Sequence, residues 1–538
     1  MNGLVMLLIA AAVLLAAYLG YGRYLAKKWG IDPNKPTPAH EFEDGIDYVP
    51  TKPSVVFGHE FASIAGAGPI NGPIQAAMFG WLPVLLWILI GGVFFGAVQD
   101  FSSLYASVKN KGKTIGYIIE SYIGKTGKRL FLLFVWLFSI LVIAAFADIV
   151  AGTFGAIIKA ADGAVTRSEA NGAVATTSVL FIAAAIALGF FIRKLKPSGI
   201  VSGITACVLL VICVALGISL PVYVAKNIWL YIVFAYIFVA SVTPVWALLQ
   251  PRDYLNSFLL VAMIAAAFIG VVFSAPAINL PAFTSFAIVG ANGSVSYLFP
   301  ILFVTVACGA VSGFHSLVAS GTASKQIDNE RHMLPISFGA MLIESLLAVL
   351  SLIAVGSLAV GGKMPAGTPP QIFATAIAGF LTRIGLPERI IFTLITLSVS
   401  AFALTSLDSV ARVGRLAFQE LFTEDTGPGK QQAPVLAFLS NKIVATIATL
   451  ILGYLLAILG YANIWPLFGS ANQLLAALAL IACSVFFKKT KRQGAMLWAP
   501  MFIMLAVTFT ALFFTIRAKG SLLFSGGFDF GRDFLQLA

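Results

Sequence analysis

The chain has 538 residues, of which 59% are hydrophobic and only 10% charged. A soluble domain carries about 25% charged residues, and no water-facing fold hides this much apolar surface, so soluble enzymes and nucleic-acid-binding modules are excluded. The net charge of +12 is carried by Lys and Arg in short clusters between apolar runs, the pattern of cytoplasmic membrane loops.

About twenty apolar residues make a helix that crosses a bilayer. In chain order the apolar runs predict about fourteen spans, near 3–22, 55–78, 82–106, 130–158, 174–192, 199–220, 229–249, 257–276, 297–320, 336–360, 389–411, 434–459, 463–487 and 495–516. They are too long for barrel strands, which have about ten residues of alternating polarity. The fold class is therefore all-α, a polytopic integral membrane bundle forming one domain over 1–538. The first run has no basic residue ahead of it and Arg23, Lys27 and Lys28 behind it. It reads as a retained span with its N-terminus outside, not as a signal peptide. Alternate loops after it hold the basic clusters, among them Lys109, Lys111 and Lys113, then Arg193, Lys194 and Lys196, then Arg412, Arg415 and Lys430. That alternation predicts both termini outside. The 361–388 stretch reads as an external loop with an interfacial or re-entrant helix over 372–381. Cys207, Cys213, Cys308 and Cys483 lie in apolar stretches and read as small core residues, with no zinc spacing.

Three spans break the hydrophobic pattern. The first contains Gly58-His59-Glu60-Phe61-Ala62-Ser63-Ile64-Ala65-Gly66-Ala67-Gly68-Pro69-Ile70-Asn71-Gly72-Pro73. A helix interrupted there exposes amides that hold a carboxylate or carbonyls that hold a cation, which makes Ser63, Gly66, Gly68 and Asn71 candidate ligand contacts. A Gly/Pro-rich packing contact is the other reading. The second is Ser241-Val242-Thr243-Pro244-Val245-Trp246, where Pro244 frees a carbonyl and Thr243 is the candidate contact, against a Pro-kinked packing helix. The third is Cys308-Gly309-Ala310-Val311-Ser312-Gly313-Phe314-His315, with Ser312 and His315 as candidates. Its small residues also suit close helix packing.

Ionisable residues at membrane depth cost several kcal/mol unless paired or wet. His59, Glu60, Asp100 and Asp408 are the candidates for handling protons, with Asp148 and Glu344 also inside apolar runs. Asp408 stands four residues before Arg412, the spacing of a structural helix pair, and Asp100 also suits a cap at a cytoplasmic end. Enzyme motifs fail: His59-Glu60-Phe61-Ala62-Ser63 lacks the second histidine of a zinc-protease helix, and no Walker A motif is present. No catalytic or metal-ligating residue is assigned.

Several segments resemble the carbon starvation protein A (CstA) family. They are Asp47-Tyr48-Val49-Pro50-Thr51, the 58–73 segment, Gly96-Ala97-Val98-Gln99-Asp100-Phe101, Pro251-Arg252-Asp253-Tyr254-Leu255, the 308–325 segment, and Trp465-Pro466-Leu467-Phe468-Gly469 with Asn472-Gln473-Leu474-Leu475-Ala476-Ala477. The resemblance implies a secondary active transporter of the inner membrane that imports small organic nutrients, pyruvate or short peptides, on a proton gradient. The alternatives are a sodium-coupled carrier and a passive channel. It also implies membership of the amino acid–polyamine–organocation superfamily. That means a core of two inverted five-helix repeats over 55–411, with 1–54 and 412–538 peripheral and discontinuous helices at 55–78 and 229–249. No cofactor is implied beyond the ion gradient. The partners are a small-molecule substrate and the lipid bilayer, with the peripheral spans available as an oligomer interface. Many members have two consecutive histidines where this chain has His59-Glu60, so a proton-handling role carried to position 60 falls to a different side chain.

Overall fold

The computed structural model describes residues 1–45, 48–159, 165–195, 197–243, 248–289, 295–423 and 433–525. Asp47, residues 244–246, Lys196 and Lys430, all used in the sequence reading, lie outside them. The main helices are α1 (Gly3–Trp29), α2 (Pro53–Ile64), α3 (Gly68–Ala76), α4 (Trp81–Lys109), α5 (Lys125–Phe154), α6 (Glu169–Leu195), α7 (Gly199–Ser219), α8 (Lys226–Val242) and α9 (Leu249–Ser274). They continue with α10 (Leu298–Val306), α11 (Gly313–Gly321), α12 (Glu330–Leu358), α13 (Pro369–Thr382), α14 (Glu388–Phe422), α15 (Lys442–Ala457), α16 (Asn463–Lys489) and α17 (Ala495–Ala518). Among the described residues, 11 helices are long and apolar enough to cross a membrane. The shorter apolar helices α8 and α15 and the interrupted pair α2–α3 lie at the remaining expected runs. Among the described residues, strands form two antiparallel pairs, Ile157–Lys159 with Val165–Arg167 and Ala287–Val289 with Val295–Tyr297.

Local chemistry sets the helix ends. The Asn2 side chain accepts from the Leu4 amide at 2.8 Å at the start of α1, and Gly30, at φ 70°, ends it. Ser198 and Asn441 cap α7 and α15 in the same way, and Pro53 opens α2, where its missing N–H costs nothing. On α7, apolar residues such as Ile204, Val208 and Val211 stay exposed, as expected of a helix whose solvent is lipid.

The chain forms two compact units. Unit 1 comprises Met1–Phe134, Ala275–Pro369 and Asn463–Ala538. Two helices inside it are interrupted. α2 stops at Ala65 and the chain resumes as α3 at Gly68. α10 stops at Ala307, held at φ 30°, and α11 starts at Gly313. The two interruptions pack together: a Cβ on Gly72 would lie 2.6 Å from the Thr305 carbonyl oxygen and 2.7 Å from that of Val306. The second interruption within unit 1 is thus at 307–312. The 229–249 run is not one span, because α8 ends at Val242 and a separate helix begins at Leu249. A strap over 30–52 ties the end of α1 to the loop after α11. The Thr51 amide donates to the Gln326 carbonyl at 3.1 Å, the Thr37 hydroxyl to that of Ile327 at 2.5 Å, and the Asp32 amide to Glu330 at 2.9 Å.

Unit 2 comprises Val135–Ser274 and Pro370–Ala462. The helix expected over 372–381 is present as α13, buried except for a stripe at Gln371, Thr375, Gly379 and Thr382. Asp148, isolated in sequence, is held by the Lys226 ammonium at 2.7 Å and the Tyr461 amide at 3.0 Å. Its role there is structural.

Gly72→Ala is expected to destabilise the protein by about 1–3 kcal/mol, because carbonyl oxygens of a packed helix cannot step aside. Gly379→Ala, with nothing within 4 Å of the added carbon, is expected to change stability by less than about 0.5 kcal/mol. Thermal unfolding of the two purified variants beside the wild type checks this.

Candidate functional site

The interruptions of unit 1 surround a group of titratable side chains. Glu60 (α2), Asp100 (α4), His315 (α11) and Glu344 (α12) are each at most 1% exposed. His315 occupies the first turn of α11, so the interruption determines where its ring points. Its Nδ1 lies 2.9 Å from Asp100 Oδ2, a hydrogen bond. Its Nε2 lies 3.4 Å from Glu344 Oε2, close enough for attraction between charges but not a well-formed hydrogen bond. Glu60 stands within electrostatic range of both Asp100 and His315. Asp100 follows a widened π turn over Gly92–Gly96, a distortion that re-aims side chains and recurs at functional sites.

Several polar atoms here have no hydrogen-bond partner: Glu60 Oε2, Asp100 Oδ1, both Glu344 oxygens, His315 Nε2, both side-chain heteroatoms of Asn71, and Gln99 Oε1. Each such atom costs about 1–3 kcal/mol when buried. Buried polar atoms of this kind are where a proton, water or a polar solute would be accommodated. Three carboxyl groups around one imidazole can also change charge by taking up and releasing protons, with no change in packing.

Neighbouring side chains brace the interruption itself. Gln99 Nε2 donates to the Ser312 carbonyl at 2.6 Å, and Gln473 Nε2 to that of Phe303 at 3.1 Å. Asn472 Oδ1 accepts from the Phe314 amide at 3.2 Å and lies 3.3 Å from the Ser312 hydroxyl. The α10–α11 break therefore has loose backbone groups satisfied from α4 and α16, the second of which lies beyond the 55–411 core expected from sequence. Gly313 makes the approach of α16 possible, since a Cβ there would lie 2.4 Å from the Ala476 amide nitrogen.

The sequence candidates divide accordingly. Glu60, Asp100 and His315 come together. Ser63 and Asn71 are buried on the same pair of helices, and Gly66 lies in the α2–α3 break. Gly68 opens α3 against Cys308, whose sulfur an added Cβ would meet at 2.6 Å. Ser312 is committed to the brace. His59 is half-buried, turned about 100° around the helix from Glu60. Thr243 belongs to unit 2, where its hydroxyl donates to the Val239 carbonyl at 2.7 Å. Asp408, also in unit 2, accepts from Arg252 and, at 2.8 Å, from the Tyr236 hydroxyl. The helix pair with Arg412 read from the four-residue spacing is not the contact formed. Arg412 turns to the carbonyls of Ala240, at 2.6 Å, and Thr243. Sequence reasoning passed over Glu344, Gln99, Asn472 and Arg252 as site residues. Glu344 carried a signal, a carboxylate alone in an apolar run. The amides carried only their place inside a span.

The carbon starvation protein CstA family model matches residues 2–367 and 360–511. The chain belongs to this family. It is 34% identical to the peptide transporter CstA of Bacillus subtilis, over 89% of this chain and 84% of that one. It is 32% identical to the pyruvate/proton symporter BtsT of Escherichia coli, over 90% and 77%. Among solved structures, MhsT in complex with L-phenylalanine aligns over 85% of this chain and 97% of its own, with a TM-score of 0.50 and 12% identity, a likeness of fold. The CstA-family relatives bear the names of transporters, and the chain is a multi-pass protein of the inner membrane.

Asn472→Ala is expected to cost about 2–3 kcal/mol, since it orphans the Phe314 amide inside the membrane. Ser470→Ala removes a hydroxyl bonded only to the Pro466 carbonyl of its own helix and is expected to cost less than about 1 kcal/mol. Thermal denaturation in detergent separates the two.

Proposed function

We propose that this CstA-family protein is a secondary active transporter that imports small organic nutrients, pyruvate or short peptides, by alternating access, coupled to protons and with both termini outside. The observation that carries the proposal is the buried set Glu60–Asp100–His315–Glu344 at two interrupted helices of one unit. Interrupted helices are hinges as well as binding surfaces. A titratable set attached to them changes charge with each proton, and so biases one arrangement of the hinge over another. The set needs no cofactor besides the gradient. A relative named as a pyruvate/proton symporter supports the choice of ion. The names of the relatives support both substrate classes, and uptake distinguishes them.

The test is uptake by purified protein in proteoliposomes, with labelled pyruvate and a labelled dipeptide, with and without an inward proton gradient. Accumulation of one substrate only with the gradient is expected. Glu60→Gln and Glu344→Gln are expected to lower accumulation by at least about 10-fold, the effect of losing about 1.4 kcal/mol of coupling, while downhill exchange persists. Accumulation on a sodium gradient alone points to the sodium-coupled carrier. Downhill leak indifferent to both gradients points to a channel.

A further inference from the structure

Unit 2 buries a second charged network. Arg252 (α9) is 1% exposed and Asp408 (α14) 0%. One arm of the guanidinium bonds Asp408 Oδ2 and the Tyr236 hydroxyl, and the other donates to Thr405 Oγ1 at 2.9 Å. Asn256, one turn along from Arg252, also donates to Thr405. Beside them lies a small cleft lined by Ser178, Phe181, Ile182, Arg252, Asn256 and Leu404. Its enclosed part has room for little more than a water. Arg252 Nε, Asn256 Oδ1 and Asp408 Oδ1 have no partner.

As a fastener between helices this pair is a poor choice. Apolar side chains of similar volume hold helices as well, without the cost of taking two charges out of water. What an arginine offers that they do not is a planar fork shaped for a carboxylate, together with a charge that never leaves. In this network one arm of the fork already holds the carboxylate of Asp408, and Arg252 lines a water-sized cleft that a second carboxylate enters only if it widens.

We infer that Arg252 is a carboxylate-binding residue that exchanges partners, gripping Asp408 when the cleft is empty and the carboxylate of a transported solute when Asp408 is protonated. This rests on the reading of the protein as a proton-coupled importer. The charge balance is what couples the two events. With the cleft empty, guanidinium and aspartate cancel. A carboxylate entering alone leaves one buried negative charge in excess. A carboxylate entering with a proton on Asp408 restores neutrality, because the new anion replaces aspartate on the guanidinium and aspartic acid remains. No bond to carbon forms or breaks, and one proton accompanies each carboxylate. The charged and titratable groups facing Asp408 are Arg252 and Asp253 from α9, Tyr236 from α8 and Arg412 on its own helix. The enclosed part of the cleft, about the size of one water, widens to seat the carboxylate group against Arg252, and the apolar lining takes what it is attached to. Pyruvate and the C-terminus of a peptide both present that group.

The experiment measures binding of labelled pyruvate, dialanine and dialanine amide to the purified full chain at pH 6 and pH 8, with proton uptake followed in weak buffer. The wild type is expected to take up about one proton per carboxylate bound. It is expected to bind the amide, which lacks the carboxylate, at least about 10-fold more weakly than the acid. Which acid binds identifies the source. Asp408→Asn is expected to bind the carboxylate without proton uptake and with equal affinity at both pH values, and Arg252→Gln to lose binding. A pair that serves only to hold helices would lower thermal stability in these variants and leave the proton count unchanged. Should Asp408→Asn not fold, infrared difference spectra of the wild type keep the question open to decision: a protonated carboxyl band that appears on binding and shifts in Asp408→Glu is expected. Absence of that band, a full proton per ligand in Asp408→Asn, equal binding of acid and amide, or binding of neither carboxylate by the wild type overturns the assignment. Failure of the wild type to accumulate either substrate on a proton gradient overturns the importer reading instead. Accumulation by the wild type, with the proton still taken up by Asp408→Asn, overturns only the role of Arg252.

Discussion

In hydrocarbon there is no water to complete a peptide group's hydrogen bonds, so every place where a helix stops inside the membrane must be completed by the protein. Unit 1 stops two helices in this way, and its architecture follows from the need to complete them. Gln99 reaches the Ser312 carbonyl, and Asn472 reaches the Phe314 amide and the Ser312 hydroxyl. For Asn472 to arrive, α16 must approach α11 until the two backbones nearly touch, which Gly313 permits. Gly72 does the same for α3 against the end of α10. Small residues and side-chain amides are thus two halves of one solution: the first brings helices close, and the second uses the closeness to satisfy loose backbone.

The same scarcity of water gives the buried charges their meaning. In unit 1, Glu60 Oε2 and Glu344 Oε1 have no hydrogen-bond partner, while Glu344 Oε2 lies 3.4 Å from His315 Nε2. In unit 2, the Asp148–Lys226 pair is tied to a backbone amide and reads as structure. Arg252, by contrast, shares a fork among an acid, a phenol and a hydroxyl beside a cleft. Burial and pairing alone do not separate the two pairs. The separating feature is an unanswered polar atom next to space.

Much of this was legible in the residues. Hydropathy located the spans, because length and apolarity are demanded by the bilayer and not by any partner. The Gly/Pro concentration at 58–73 announced the first interruption, and Glu60, Asp100 and His315 stood out as ionisable groups at membrane depth. What failed depended on distance in the chain. The 229–249 run looked like one kinked span because Pro244 stands between apolar stretches, yet α8 and α9 are separate helices. The second interruption, in 307–312, falls in the third segment that broke the hydrophobic pattern, although its small residues also suited packing. Asp408 was read against Arg412 because helix periodicity relates only neighbours. The partner it found, Arg252, stands 156 residues away. Asn472 and Gln99 could not be read as braces, because a side-chain amide inside a span has no signature until the backbone it completes is known.

Charge counting connects these observations to transport. A membrane protein that moves an anion on a proton gradient must at some stage hold both, and it must do so where neither charge can be solvated. A lone carboxylate site would bind a proton without an anion. A lone arginine would bind an anion without a proton. An arginine already occupied by an acid does neither alone, since the anion can be seated only when the acid has been neutralised. Arg252 with Asp408 has that composition in unit 2. A set of carboxyls around one histidine would have the complementary property of holding a variable number of protons. On the proposed reading, Arg252 with Asp408 would make protons and anions depend on each other, and the carboxyls around His315 would turn proton number into a bias on interrupted helices.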